Sequence, residues 1–246
     1  MRLEGKTAIV TGGASGFGAG IVRKFVAEGA RVMIADLNGQ GAQDLAQELG
    51  QVACTVDVSD AGSVDAMANA ARTAFGALDI LINNAGITHQ KGPMEGVSEA
   101  EFDRVFAVNA KSVYLTARAF VPGMKARGQG AILNVASTAG VSPRPHLNWY
   151  NASKGWMITA TKAMAVELAP DGVRVNALNP VAGETPLLAS FMGEDTPQIR
   201  AKFLATIPLG RFSQPQDLGN AACFLCSDEA SMLTGVCLEV DGGRCI

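Results

Sequence analysis

Thr7-Ala8-Ile9-Val10-Thr11-Gly12-Gly13-Ala14-Ser15-Gly16-Phe17-Gly18 is the stretch on which the fold turns. Its first four residues are apolar or β-branched and read as a short buried strand. Glycines at 12, 16 and 18 then interrupt the run, and beyond them Ile21, Val22, Phe25 and Val26 fall on one stripe of a helix. Strand, glycine loop, helix is the order a dinucleotide site requires. Glycine lets a backbone approach a pyrophosphate closely, and a helix N-terminus offers free N–H groups and the positive end of its dipole. The spacing is Gly12-x-x-x-Gly16-x-Gly18, not the better-known G-x-G-x-x-G.

Outward from that unit the pattern repeats. Strands are expected at 31–35, 52–56, 78–82, 131–136, 173–178 and 236–240, with helical stretches between them. Such alternation predicts an α/β protein: one three-layer, doubly wound Rossmann fold with a seven-stranded parallel sheet. No linker, repeat or low-complexity segment divides it, so 1–246 reads as one domain. The strand ends carry the chemistry. Asp36 closes the second strand, about 20 residues past the glycines, where a carboxylate meets the ribose hydroxyls of NAD and repels the 2′-phosphate of NADP. Neither Leu37 nor Ser15 supplies a cation for that phosphate. Asp57-Val58 offers a polar and an apolar side chain to an adenine. Asn83-Asn84-Ala85-Gly86 can line a cofactor with little bulk, or form a turn.

Residues 98–126 read as one long helix with Asn109 inside it, either facing solvent or useful. Ser137 follows the 131–136 strand, at the end where open α/β sheets place ligands. Then comes Tyr150-Asn151-Ala152-Ser153-Lys154. On a helix, positions i and i+4 share a face, and a neighbouring ammonium lowers a phenol's pKa from its usual ~10. The helix carrying this pair is apolar on several sides, as is part of the long helix before it, which suggests a subunit interface. The segment 187–207 is apolar but irregular: a lid over substrate, or a docked helical hairpin. A last helix starts near Gln214-Pro215, with proline in its first turn.

The chain has 246 residues, 48% apolar and 17% charged, with net charge -3. That excludes global disorder and argues against nucleic acid or an anionic membrane as partner. Five cysteines in a chain of this size argue against a disulfide framework, and Cys223-x-x-Cys226 reads as core packing. The only histidines, His89 and His146, have no partner at a ligand-like spacing, so no metal is expected. Met1 to Lys6 runs straight into a strand without a signal-peptide pattern, and no apolar run reaches membrane-spanning length; a cytoplasmic protein is expected.

Together the motifs resemble the short-chain dehydrogenase/reductase family over essentially the whole chain. The residues that carry the likeness are Thr11-Gly12 with Gly16 and Gly18, Asp36, Asp57, Asn83-Asn84-Ala85-Gly86, Asn109, Ser137, Tyr150, Lys154, Asn179-Pro180, Thr185 and Asp241-Gly242-Gly243. The resemblance implies an NAD-dependent enzyme acting on CH–OH groups, with Asn109, Ser137, Tyr150 and Lys154 catalytic. Tyr150 serves as general acid in reduction and general base in oxidation. Lys154 lowers its pKa and holds the nicotinamide ribose, Ser137 hydrogen-bonds the reacting oxygen, and Asn109 fixes a water-linked proton relay. Cofactor contacts are implied from Gly12, Ser15, Gly16, Phe17, Gly18, Asp36, Leu37, Asp57, Val58, Asn84, Ala85 and Gly86, from Tyr150 and Lys154, and from Pro180, Val181, Gly183 and Thr185. A substrate loop is expected as an insertion at about 186–210, and a homotetramer as the assembly.

One departure stands out. Family members usually have glycine directly after that proline; here it is Val181, and the glycine has moved to 183. A reductase of the beta-ketoacyl-carrier-protein type is the main alternative. Asp36 argues against its usual NADP, and Asp171 would repel an acidic carrier even if Arg127 belongs to a basic patch. A non-catalytic dinucleotide sensor is a third reading. Arg144, His146 and Trp149 lie on the loop before Tyr150; Arg144 either pairs a carboxylate or phosphate of the substrate or faces solvent.

Overall fold

In the computed structural model, residues 1–193 and 196–246 are described. The first half runs β1 (Thr7–Thr11), α1 (Gly16–Ala27), β2 (Arg31–Asp36), α2 (Gly39–Leu49), β3 (Val52–Thr55), α3 (Ala61–Phe75) and β4 (Ile80–Asn83). The second runs α4 (Glu99–Phe106), α5 (Ser112–Arg127), β5 (Gly130–Val135), α6 (Asn148–Leu168), β6 (Val173–Pro180), α7 (Leu188–Met192), α8 (Pro197–Leu204), α9 (Pro215–Cys226) and β7 (Cys237–Val240). The seven strands form one parallel sheet in the order β3-β2-β1-β4-β5-β6-β7. The winding reverses between β1 and β4, and the strand ends there open a crevice.

The apolar runs of the sequence follow from burial on both faces. All five residues of β1 are buried. Alternation sends Ala8 and Val10 into a core with Ile21, Phe25 and Leu218 from α1 and α9, while Ile9 packs with Val64, Met67, Leu115 and Met124 from α3 and α5. Cys223 and Cys226 are both buried on α9 in the first of these cores, and burial pushes the Cys226 thiol up to about 12. Proline at the start of α9 is where the sequence placed it. No helix among the described residues is long and apolar enough to cross a membrane.

Two segments differ from expectation. The stretch read as one helix over 98–126 begins on a capping box between Ser98 and Glu101, then passes through a π-helical turn, Ala107–Lys111, between α4 and α5. The backbone stays helical throughout, but one turn is widened, and Asn109 sits on it, fully buried. The segment 187–207 forms two short helices, α7 and α8. Leu188 and Met192 of α7, with Ile207 beyond α8, pack on Val181 and Phe212 as a small satellite core. Positions 194 and 195 of the expected substrate loop lie outside the described residues.

Candidate active site

The glycine loop fits closely against the end of β4. Gly12 has φ 62°, and a Cβ there would stand 2.9 Å from Ala85 Cα; at Gly18 it would stand 2.0 Å from the Gly12 carbonyl. Only glycine serves at either position. Asn84 donates through Nδ2 to the carbonyls of Thr11 and Gly12, 2.9 Å each, and Thr11 Oγ1 accepts the N–H groups of Asn84 and Ala85. The Asn84 amide is thus the strut of the loop; Asn83 ends β4, no turn is formed over 84–86, and those three residues line the crevice. Ser15, at the N-cap of α1, makes no side-chain capping bond, and no acidic residue occupies the first turn. The start of α1 is therefore free of side-chain caps, and Ser15 to Gly18 border the crevice.

Asp36 accepts from Ala14 N–H at 3.0 Å with one oxygen and from Asn38 N–H at 2.9 Å with the other. It closes the loop and still presents lone pairs to a ligand. Leu37 beside it is 71% exposed, an apolar surface without other duty. Asp57 accepts from Ser59 N–H and Oγ, which hold its carboxyl below the usual range.

At the other end, Ser137 leaves β5 with its Oγ accepting from Ala139 N–H at 3.0 Å. Its side chain lies close enough to the hydroxyl of Tyr150 on α6 to pull that phenol's pKa down. Lys154 is one turn further along α6, 4% exposed, with Nζ donating to the Val135 carbonyl at 2.8 Å and standing 6.0 Å from the Tyr150 ring centre. The sequence reading expects Lys154 to lower the phenol. Here burial dominates: it pushes Tyr150 up to about 12, against a smaller downward pull from Ser137, and it brings Lys154 down to about 8. Phe191 of α7 covers Tyr150, ring centres 5.2 Å apart.

One cleft of about 950 Å³ connects the two ends. It is lined by Gly12, Ser15, Gly16, Phe17, Gly18, Asp36, Leu37, Asp57 and Val58 on the loop side, and by Asn84, Ala85 and Gly86 along its floor. Ser137, Tyr150 and Lys154, with Pro180, Val181, Gly183 and Thr185, complete it. The residues fit a dinucleotide: at Gly86 a Cβ would come within 3.3 Å of Lys154 Nζ, filling the space in front of it. Asn109 does not line the cleft. It faces the same side of Gly86 as Lys154, its Oδ1 3.4 Å from where a Cβ would stand, with Oδ1 accepting from Ile87 N–H and Nδ2 donating to the Ile87 carbonyl and to Ser153 Oγ, each at 2.9 Å. Of the alternatives for Asn109, solvent-facing is excluded by its burial.

The displaced glycine has a physical cause. A Cβ at Gly183 would stand 2.2 Å from Phe17 Cζ and 2.8 Å from the Ser213 carbonyl, so the loop can pass there only without a side chain. Val181, where glycine is usual, points into the satellite core and is 7% exposed. Arg144 and His146 line the cleft, whereas Trp149 is held away by Met94 O at 3.2 Å and an edge contact with Phe102. Sequence reasoning missed Asn151, which lines the cleft and ties the preceding loop to α6 through the Arg144 carbonyl at 2.7 Å. Its only sequence signal is its place directly after Tyr150. Phe191 carried a signal only as part of an apolar segment.

A family model described as enoyl-(acyl carrier protein) reductase matches residues 12–244. The 4-formylbenzenesulfonate dehydrogenase TsaC1/TsaC2 of Comamonas testosteroni is 53% identical over 253 residues, spanning 99% of both chains. D-threitol dehydrogenase of Mycolicibacterium smegmatis is 40% identical over 100% of this chain and 95% of its own. Among solved structures, a 3-ketoacyl-(acyl-carrier-protein) reductase from Brucella melitensis complexed with NADH superposes with a TM-score of 0.95 at 51% identity, over 99% of this chain and 100% of that one. Likeness of this extent, end to end and on the same fold, settles what the motifs resembled: the chain belongs to the short-chain dehydrogenase/reductase family of oxidoreductases, which use a nicotinamide dinucleotide.

Proposed function

We propose that the protein is an NAD(H)-dependent dehydrogenase/reductase that interconverts a secondary alcohol and a ketone. The carrying observation is that Ser137, Tyr150 and the buried ammonium of Lys154 line the same cleft. Bound NAD supplies the hydride acceptor, and NADH the donor. The chain supplies position and a proton. Ser137 holds the reacting oxygen, and Tyr150 Oη gives or takes its proton. Burial keeps the Tyr150 phenol protonated at neutral pH, the form that the acid role in reduction starts from. Lys154 keeps a positive charge near that proton, and Asn109 positions the Ile87 backbone and α6 around it. A water-linked relay through Asn109 belongs to this reading. So do the lid role of 187–207, a single domain with that insertion, and a cytoplasmic homotetramer. Exposed Tyr114, Trp156 and Val166 on α5 and α6 support the assembly.

Preference for NAD rests on Asp36 and on Leu37, which offer a 2′-phosphate no cation. The names of the relatives span an aromatic aldehyde and a polyol, which supports CH–OH and C=O chemistry more firmly than any one substrate. The test is nicotinamide absorbance with NAD and with NADP over secondary alcohols, polyols and hydroxyacyl thioesters. Tyr150→Phe should lose about three orders of magnitude in turnover while still binding NADH; unchanged turnover refutes the role.

The second reading, a ketoacyl-carrier reductase, is favoured by the likeness to the Brucella 3-ketoacyl-(acyl-carrier-protein) reductase. Against it, Arg127 is already committed to the Leu78 carbonyl and to Asp79 at 3.7 Å, away from carrier docking. The repulsion expected from Asp171 is offset by its pairing with Lys125 at 2.8 Å. Turnover of thioesters with NADP alone makes this reading lead.

A further inference from the structure

Charge is unevenly distributed along the cleft. Among the described residues, the carboxylates that line it are Asp36 and Asp57, which stand at the loop end and are hydrogen-bonded to backbone. Besides Lys154, the cations that line it include Lys91, Arg104, Arg144, Lys202 and Arg244. In a protein of net charge -3 this gathering is local.

The backbones that carry these cations are fixed. Asn151, immediately after Tyr150, holds the Arg144 carbonyl, so Arg144 is tied to the catalytic helix. His146, with φ 71°, turns its carbonyl to accept Gly92 N–H at 3.1 Å, which staples the Lys91 loop to the Arg144 loop. Buried Asp241 accepts from Gly243 N–H at 2.9 Å and Cys245 N–H at 2.8 Å, fixing the turn that presents Arg244. Arg144 and Arg244 thus reach the same cleft from two separately anchored turns. The pyrophosphate of a dinucleotide has its own donors at the start of α1, on other elements.

We infer that the tyrosine end of the cleft takes a substrate carrying a carboxylate or sulfonate, with Arg144 as its principal partner and Lys91, Lys202 and Arg244 around it. The inference rests on the alcohol–ketone reading above and names its substrate class. Arginine meets either anion through two parallel N–H donors, and like charges on converging turns are relieved when an anion sits between them. The charged group then anchors the far end of the substrate while the hydroxyl reaches Ser137 and Tyr150.

The test uses three para-substituted 1-phenylethanols: carboxylate, sulfonate and neutral carboxamide. The wild-type protein should favour both anions over the amide in kcat/KM by about 10- to 100-fold. Arg144→Gln should bring that ratio near unity, Arg144→Lys should restore part of it, and the dissociation constant of NADH should stay the same in both. Equal use of amide and anions, or a ratio untouched by Arg144→Gln, overturns the inference. Should no alcohol turn over, titration of the NADH complex with benzoate and benzamide decides. Tighter benzoate, lost in Arg144→Gln, keeps the anion site and sinks the dehydrogenase reading; equal binding sinks the site.

Discussion

Replacing Lys154 by methionine should make the protein more stable and leave it without turnover. The ammonium is 4% exposed and has one hydrogen bond, to the Val135 carbonyl at 2.8 Å. Burial takes its pKa from 10.5 to about 8. At about 1.36 kcal/mol per unit, holding the charge at pH 7 costs about 3 kcal/mol relative to the unfolded chain. Methionine keeps the linear stem and removes the charge, forfeiting about 1 kcal/mol for the lost hydrogen bond. The balance is about 2 kcal/mol in favour of the variant, or roughly 4–8 °C in Tm for a chain of this size. The sign depends on pH. Below pH 8 the lysine is charged both folded and unfolded, and the penalty is complete. Between about 8 and 10.5 the folded wild-type protein sheds the proton first, its stability rises, and the gap to the variant closes. Thermal unfolding of both proteins without nucleotide, at pH 7 and again near pH 10, checks this. A variant less stable than wild type at pH 7, or a gap that does not narrow with pH, refutes the reasoning.

Gly183→Ala forces a methyl onto the Phe17 ring and the Ser213 carbonyl. A cost of about 2–3 kcal/mol is expected, with NADH affinity weakened because Phe17 and Gly183 both line the cleft; melting and NADH titration should move together, and an unchanged Tm speaks against the packing account. Asp36→Asn removes the charge that repels a 2′-phosphate and one backbone acceptor at Ala14 or Asn38. The preference for NAD over NADP should fall about tenfold or more, the scale of one lost charge interaction; a ratio of kcat/KM values that does not change refutes the role of Asp36.

The sheet was legible because parallel strands buried on both faces write themselves as continuous apolar runs, as at Ala8-Ile9-Val10 and Leu81-Ile82. The glycine loop, Asp36 and the Tyr150–Lys154 pair were legible because short-range spacing fixes them. What was not legible depends on partners distant in sequence. The displaced glycine is visible in the sequence, but its reason, the Phe17 ring, is not. Asn84 reads as a liner and is also the strut of the glycine loop. Spacing misjudges the direction of the Tyr150 pKa because it reports the neighbouring charge and says nothing of how deeply a phenol is buried. Lys91, Arg144, Lys202 and Arg244 are scattered through the chain, so their convergence leaves no trace in net charge.

The widened turn at Ala107–Lys111 sets the rotational phase between α4 and α5. One extra residue in a helix turns everything beyond it by about 100° about the axis. Shortening the turn by a residue would straighten the helix and restore ordinary i→i−4 bonding, yet it would swing Asn109 off Ile87 or α5 off its core. The wide turn is therefore a phase adjuster. It lets one helical rod satisfy two partners that ordinary helical geometry would put out of step, with the site on one side and the sheet on the other.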